Sequence, residues 1–193
     1  MKLTVRFHDH TIRSFQHITS SVGFPKVSIE IGCFEGDSTF NIAAVCHQQN
    51  PNYKHYAIDP YNNSDDLPEE NIPQTKEMFL SNLEEFEPKD VVEFINKKSF
   101  DGLIDLYNRG IKADFIYVDG DHRAPGVLQD CVLGFELLNK GGVMLFDDSM
   151  VWRKDNNPCN SPKMAVDNFM QCYWDKLEIF QLPGGYQSAI RKL

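Results

Sequence analysis

Residues 114–149 read DFIYVDGDHRAPGVLQDCVLGFELLNKGGVMLFDDS and contain one complete strand–helix–strand unit. The apolar runs 114–119 and 142–147 predict two buried strands, and the helical spacing of apolar residues between them predicts a connecting helix. A unit of this kind joins two parallel strands through a right-handed crossover. Both strands are therefore expected to end at the same edge of a sheet.

The same alternation of strands and helices continues in both directions along the chain. Further strands are predicted at 27–31, 55–59, 91–95, 177–182 and 187–192. Helical patterns separate most of these strands, which predicts an open α/β sheet of mostly parallel strands with helices on both faces. Residues 27–193 form this predicted domain, in a chain that we expect to be one domain. Residues 1–26 are predicted to be a helical segment that either covers the site or contacts a second copy in a homodimer.

The composition restricts the classes of partner. The 193 residues carry 19 basic and 28 acidic side chains, a formal net charge of -9, which disfavours nucleic acid and anionic membranes as partners. Five cysteines without a CxxC pair indicate reduced thiols, and no run approaches the roughly 18 apolar residues of a membrane span. The N-terminus lacks the apolar core of a signal peptide. We therefore expect a cytoplasmic protein.

A glycine-containing loop follows the first predicted strand. Residues 28–40 read SIEIGCFEGDSTF, so Gly32 and Gly36 lie between the strand and a helix predicted to be capped by Asp37 or Ser38. The GxGxxG spacing of dinucleotide sites is absent. Three carboxylates also lie in or beside the loop, namely Glu30, Glu35 and Asp37. They would repel a diphosphate, so the loop favours a ligand with positive charge, such as S-adenosylmethionine, over a nicotinamide dinucleotide. A purely structural turn is the alternative.

Asp59 ends the second predicted strand, 23 residues after Gly36. At this position, doubly wound nucleotide-binding folds place the carboxylate that accepts hydrogen bonds from ribose hydroxyls. A turn or capping residue is the simpler interpretation of a single aspartate. Together with the glycine loop, Asp59 is predicted to contact a ribose.

Four carboxylates converge at the ends of the two strands in 114–149. They belong to Asp119 and Asp121 after the first strand and Asp147 and Asp148 after the second. Like charges at one edge destabilise each other, so a bound cation is predicted, with Mg²⁺ preferred for a set of oxygen ligands. His122 beside them is a candidate general base, because a histidine side chain ordinarily changes its charge near neutral pH. A structural role for the acids, and a helix-start role for His122, are the alternatives.

These motifs resemble those of class I S-adenosylmethionine-dependent methyltransferases, and especially the small metal-dependent O-methyltransferases and their sugar- and antibiotic-modifying relatives. The resemblance rests on ExGxxxGxS at Glu30, Gly32, Gly36 and Ser38, and on VDGDH followed by GGVMLFDDS. It runs from about Ser28 to Ser149. It implies a Rossmann-like methyltransferase fold of seven strands, with the last strand antiparallel and a closing pair of strands within 177–192.

The resemblance also implies a role for each motif residue. The implied cofactor contacts are Glu30, Gly32, Gly36 and Ser38 at the methionine end, Asp59 at the ribose, and Ser99 and Phe100 near the adenine. The implied metal ligands are Asp119, Asp147 and Asp148. His122 occupies a position that is often a catalytic lysine in the family, which leaves open whether His122 or Asp121 is the base, with Asp119 as its catalytic neighbour.

The implied activity is methyl transfer from S-adenosylmethionine to a hydroxyl group of a small molecule, assisted by a divalent cation. Trp152, Arg153 and the acidic loop 60–73 are predicted to shape the pocket for this acceptor. A same-fold enzyme of hydroxylase-like chemistry and a non-catalytic module that binds S-adenosylmethionine are the alternatives.

Overall fold

A computed structural model describes residues 1–4, 9–62, 71–150 and 157–193. Within these ranges the chain forms seven strands and six α-helices. The strands are β1 (Val27–Ile31), β2 (Lys54–Ile58), β3 (Val92–Ile95), β4 (Ala113–Val118), β5 (Leu138–Phe146), β6 (Leu177–Phe180) and β7 (Ser188–Lys192). The helices are α1 (Asp9–Val22), α2 (Asp37–Gln49), α3 (Ile72–Glu85), α4 (Ser99–Asn108), α5 (Ala124–Leu137) and α6 (Pro162–Cys172), and a short 3-10 helix covers Pro158–Asn160.

The strands form one sheet in the order β3-β2-β1-β4-β5-β7-β6. Every pairing among β1 to β5 is parallel, whereas β7 runs antiparallel to both β5 and β6. The predicted sheet of mostly parallel strands with an antiparallel last strand is therefore confirmed. Because β1 to β5 are parallel, their carboxyl ends meet at one edge of the sheet.

Side chains of the parallel strands alternate between two apolar cores. Ile116 and Val118 of β4 pack in the core that contains residues of α4, α5 and α6. Phe115 and Tyr117 pack in the core that contains residues of α1, α2 and α3. Successive side chains of a strand point to opposite faces, so Asp119, the residue after β4, follows Tyr117 toward the α1 face.

Helix α1 lies within the N-terminal segment 1–26. It buries Phe15 and Ile18, and the Phe15 ring meets the ring of Phe115 edge-on with centroids 5.0 Å apart. This packing holds α1 on the sheet and places its first turn at the carboxyl edge. Both roles left open by the sequence, covering the site and contacting a second copy in a homodimer, remain predictions, as does the domain boundary at residue 26.

Several boundaries differ from the predicted ones. Strand β5 begins at Leu138 rather than at residue 142, because the chain passes from α5 into the strand without an intervening loop. Strands β2 and β4 end one residue early, so Asp59 and Asp119 lie just beyond the sheet. Trp152, Arg153 and most of the predicted loop 60–73 lie outside the described residues. Within the ranges that are described, no helix is long and apolar enough to cross a membrane.

Candidate active site

A cavity of about 960 Å³ opens at the carboxyl edge of the sheet. Its walls include residues that follow all five parallel strands: Gly32 after β1, Asp59 after β2, Ser99 after β3, Asp119 after β4 and Asp147 after β5. Four strand spacings separate β3 from β5, which corresponds to about 19 Å. The cavity is therefore long enough for an extended ligand with chemically distinct ends.

Two glycines of the loop after β1 have backbone conformations that disfavour side chains. Gly32 has φ +85°, and a Cβ built on it would lie 2.0 Å from the carbonyl oxygen of Asp119. Gly36 has φ +89°, and its Cβ would lie 2.2 Å from Cε2 of Phe40. Gly36 is the N-cap residue of α2, which begins at Asp37. The prediction that Asp37 or Ser38 caps this helix is therefore wrong, because the left-handed glycine itself turns the chain into the helix.

Glu30 lies beneath the loop and is completely buried. Its carboxylate accepts hydrogen bonds from the hydroxyls of Ser38 and Thr39, the latter at 2.5 Å, and from Nε2 of His55 at 3.1 Å. Glu30, Gly36 and Ser38 are absent from the cavity wall. Glu30 and Ser38 therefore support the loop from behind, and Gly36 lies within it, whereas Gly32, Asp59, Ser99 and Phe100 line the cavity. Contact with a cofactor remains a prediction for all seven residues.

Asp59 both organises the loop and faces the cavity. Its Oδ2 accepts hydrogen bonds from the amides of Cys33 at 2.9 Å and Phe34 at 3.3 Å, and its Oδ1 from the amide of Tyr61 at 2.8 Å. Burial raises the pKa of Asp59, and these three amides oppose that rise. Asp59 can therefore hold the turn and still offer its carboxylate to a ligand in the cavity.

The opposite end of the cavity brings together the predicted acids. Asp119 Oδ2 accepts a hydrogen bond from the Tyr117 hydroxyl at 2.9 Å. Asp147 Oδ1 accepts one from Nε2 of Gln187 at 2.7 Å and lies 3.3 Å from Nε2 of His10. Asp148 accepts a hydrogen bond from the Tyr186 hydroxyl. Asp121 also lies on the cavity, but its Oδ1 accepts a hydrogen bond from the Arg123 amide at the start of α5, at 2.9 Å.

Burial and neighbouring charges give the acids different protonation behaviour. Burial, followed by the negative charge of Asp147, raises the pKa of Asp119 to about 7. Burial also acts on Asp147, but hydrogen bonds from His10 and Gln187 outweigh it and lower the pKa of Asp147. The hydrogen bond to Asp147 raises the pKa of His10. Asp119 is therefore the acid at this end of the cavity whose pKa lies near neutral pH.

His122 lies between two of these acids, as predicted. Its Nε2 is 3.5 Å from Oδ1 of Asp119 and 3.3 Å from Oδ2 of Asp148. The side chain is 21% exposed and lines the cavity. Its position just before the N-cap residue of α5 also agrees with the helix-start interpretation. His122 is reachable from the cavity and paired with acids that orient it.

The predicted magnesium ligands Asp119, Asp147 and Asp148 do converge, but they are not arranged as a metal site. In the part of the chain that the structure describes, no three His, Cys, Asp or Glu side chains form a group that could hold a metal ion. Each of the three carboxylates already accepts a hydrogen bond from a protein donor. Those donors offset the negative charge for which the sequence predicted a cation.

Sequence reasoning missed most of these donors. Tyr117 precedes Asp119 by two residues, so strand alternation could have placed both on one face. Tyr186 and Gln187 lie 38 and 40 residues after the carboxylates that they contact, and His10 lies 137 residues before Asp147. Contacts at such separations leave no local pattern, although His10 does belong to the segment for which a covering role was considered.

Comparison with known proteins places the fold among methyltransferases. A family model described as a methyltransferase domain matches residues 29–149, which is more than half of the chain. An uncharacterized protein of Acanthamoeba polyphaga mimivirus is 29% identical over 126 residues, a match that covers 65% of this chain and 52% of the viral protein. The chain thus spans about half the length of this curated relative.

Solved structures share the fold at low sequence identity. An O-methyltransferase from Bacillus cereus in complex with SAH superimposes with a TM-score of 0.69 at 18% identity, covering 98% of this chain and 84% of that chain. The O-methyltransferase TomG from Streptomyces achromogenes, in complex with SAM, gives a TM-score of 0.68 at 18% identity, covering 94% and 79% of the two chains. At these identities, the likeness establishes the fold.

Proposed function

The chain belongs to the methyltransferase-domain family, and from that membership we propose that it transfers the methyl group of S-adenosylmethionine to a hydroxyl group of a small acceptor molecule. The observation that carries the proposal is the long cavity, which has the glycine loop at its middle and paired acids and histidines at one end. The two similar O-methyltransferases were solved with SAH and SAM, which supports this choice of cofactor.

The cofactor lies along the carboxyl edge in this proposal. Ser99 and Phe100 would hold the adenine, Asp59 would accept hydrogen bonds from the ribose hydroxyls, and the backbone of Gly32 would hold the methionine part. The exposed Phe100 ring offers a flat apolar surface to a base. Burial favours the neutral form of Asp59, while its three amide donors favour the charged form that accepts hydrogen bonds.

The methyl acceptor binds at the end that contains the acids and histidines. S-adenosylmethionine supplies an electrophilic methyl group on a sulfonium sulfur, which leaves as the thioether S-adenosylhomocysteine. His122 Nε2 accepts the proton of the attacking hydroxyl, and Asp119 and Asp148 stabilise the imidazolium that results. Positioning the oxygen and removing its proton are the two contributions required of the protein.

Assistance by a divalent cation is a separate part of the proposal. Asp119, Asp147 and Asp148 would be its ligands, and their present hydrogen bonds would have to yield to it. If Mg²⁺ takes part, adding it raises the melting temperature by preferential binding to the folded state, and Asp147→Asn abolishes that rise. If EDTA changes neither melting temperature nor turnover, these acids act through hydrogen bonds and proton transfer alone.

Isothermal titration tests the proposed cofactor directly. We expect S-adenosylhomocysteine to bind and NAD not to bind, because acidic residues surround the glycine loop where a diphosphate would need donors. Transfer of a labelled methyl group to a panel of small polyhydroxylated and phenolic molecules, with RNA as a comparison, then tests the acceptor class. Micromolar binding of NAD with no response to S-adenosylhomocysteine would overturn the proposal.

A further inference from the structure

Residues 1–4 contact the glycine loop from outside the region 29–149 that the family model matches. The Thr4 amide donates a hydrogen bond to Oε2 of Glu35 at 2.7 Å, and the Thr4 hydroxyl donates one to Oε1 at 2.5 Å. Glu35 is 3% exposed, so a single residue of the N-terminal segment provides a donor to each oxygen of a buried carboxylate. We call residues 1–4 the N-terminal latch.

Asn82 of α3 holds the N-terminal latch and the glycine loop together. Its Oδ1 accepts a hydrogen bond from the Lys2 amide at 2.7 Å, and its Nδ2 donates to the carbonyl oxygens of Lys2 at 2.8 Å and of Glu35 at 2.9 Å. The Asn82 side chain is almost completely buried. Because its oxygen faces a donor and its nitrogen faces two acceptors, these contacts fix the orientation of the amide.

Glu35 follows a residue of the cavity wall that has a strained backbone. Phe34 lines the cavity and has φ +48°, in the left-handed region that is unfavourable for a residue other than glycine. Such conformations persist where the surrounding contacts impose them. The Phe34 amide donates to Asp59 and its carbonyl oxygen accepts from the Tyr61 hydroxyl. The N-terminal latch holds the next residue of the loop.

We propose that Thr4 and Glu35 are positioning residues for the cofactor, because the N-terminal latch holds Glu35 and thereby keeps Phe34 in the conformation that shapes the cavity wall. The inference rests on the proposed function, which places S-adenosylmethionine in this cavity. Neither Thr4 nor Glu35 is part of the cavity wall, so both act through Phe34. The latch and the ligand stabilise the same arrangement of the loop, and each therefore strengthens binding of the other by the same factor.

Thr4→Pro tests the inference, because proline has neither the amide proton nor the hydroxyl that Glu35 accepts. Isothermal titration should show that the variant binds S-adenosylhomocysteine about tenfold more weakly than the unaltered chain, the scale of one hydrogen bond to a charged group. Thr4→Ser keeps both donors and should bind within about twofold of the unaltered chain. Thr4 is exposed, and the melting temperature of each variant verifies that it folds.

Glu85→Gln is the matched control. The exposed Glu85 carboxylate lies 3.5 Å from Nζ of Lys2, so its replacement removes a charge beside the N-terminal latch and leaves the hydrogen bonds to Glu35 in place. This variant should bind S-adenosylhomocysteine as tightly as the unaltered chain. A tenfold loss in Glu85→Gln as well would mean that affinity follows the local charge rather than the hydrogen bonds of the latch, and would overturn the inference.

Hydrogen exchange followed by NMR measures the reciprocal effect without a substitution. The Lys2 and Thr4 amides donate to Asn82 and Glu35, so saturating S-adenosylhomocysteine should slow their exchange by about the same tenfold factor. If the N-terminal latch only stabilises the fold, Thr4→Pro will lower the melting temperature while affinity and exchange stay unchanged. That result would overturn the inference and leave the proposed function intact. If the unaltered chain does not bind S-adenosylhomocysteine, the proposed function and the inference are both overturned.

Discussion

Gly32 and Asp119 are in backbone contact across the carboxyl edge of the sheet. A Cβ on Gly32 would lie 2.0 Å from the Asp119 carbonyl oxygen and 2.8 Å from Cα of Gly120, and the Asp119 amide donates to the Ile31 carbonyl at 2.8 Å. The loop after β1 and the loop after β4 therefore occupy one rigid arrangement. A side chain at Gly32 would therefore displace the loop after β1, the loop after β4 or both.

We predict that Gly32→Ala destabilises the protein by about 2–4 kcal/mol and abolishes binding of S-adenosylhomocysteine, because a methyl group would displace backbone as well as adopt an unfavourable φ. Gly110→Ala is the matched control, since Gly110 also has a positive φ, of +70°, but nothing lies within 4 Å of its Cβ. The control should cost only about 1–2 kcal/mol. If chemical denaturation shows that the two variants lose the same free energy of unfolding, the close approach of Gly32 to Asp119 does not contribute to the destabilisation.

We predict that Asp59→Ala weakens binding of S-adenosylhomocysteine by about 1.5–3 kcal/mol, the range for hydrogen bonds to a charged acceptor. The melting temperature should also fall, because the amides of Cys33, Phe34 and Tyr61 lose their acceptor. Asp90→Ala, at an exposed acid, controls for the loss of charge. Unchanged affinity in titration of a folded Asp59→Ala variant would show that this residue is a turn residue alone.

We predict that His122→Asn lowers turnover by about 10²–10⁴-fold, the usual scale for a positioned general base, while the melting temperature changes little. The imidazole is partly exposed and lies at the cavity rather than in either apolar core. His17→Asn, at a half-buried histidine of α1 that is not part of the cavity wall, should leave turnover unchanged. A melting temperature that collapses together with activity would favour the helix-start interpretation.

Local sequence rules predicted the fold and the place of the acids, but not the contacts between side chains that are distant in sequence. Strand periodicity and the parallel crossover are local rules, so they located Asp119 and Asp147 at one edge and His122 beside them. Glu30 was assigned to the cofactor from its place in the motif, and motif spacing does not reveal whether a side chain is buried. The structure shows that its carboxylate accepts hydrogen bonds from Ser38, Thr39 and His55. The cation was predicted from unbalanced charge, since the balancing donors on α1 and just before β7 are distant in sequence.

We predict that Asp130→Asn stabilises the protein at about pH 8.5, by about 1–3 kcal/mol, and has little effect near pH 4. Burial raises the pKa of Asp130 from 3.8 to about 7. The folded state therefore binds more protons than the unfolded state between these values, and the stability of the unaltered chain falls as pH rises through that window. Urea denaturation at the two pH values measures the difference. A variant less stable at about pH 8.5 would mean that donors at the start of α4 satisfy the carboxylate.

The pair formed by His10 and Asp147 should stabilise the folded state over a limited range of pH, bounded by the folded pKa values of the two side chains. The folded pKa of His10 is raised above 6.5, so its contribution is complete below 6.5 and is lost as pH rises through the raised value. The folded pKa of Asp147 is lowered below 3.8, so its contribution is present above 3.8 and is lost as pH falls through the lowered value. Both partners are charged only between these limits.

We therefore predict that His10→Asn lowers the free energy of unfolding more at about pH 6 than at about pH 9, and by less than about 1 kcal/mol, because a side chain that is 37% exposed is screened by solvent. His17→Asn on the same helix is the control, and the contribution of Asp130 cancels because it is present in both variants. Urea denaturation at the two pH values measures the free energy of unfolding of each variant and of the unaltered chain. An equal loss at both pH values would show that His10 stabilises the structure by packing against Tyr186 rather than through the charge of the pair.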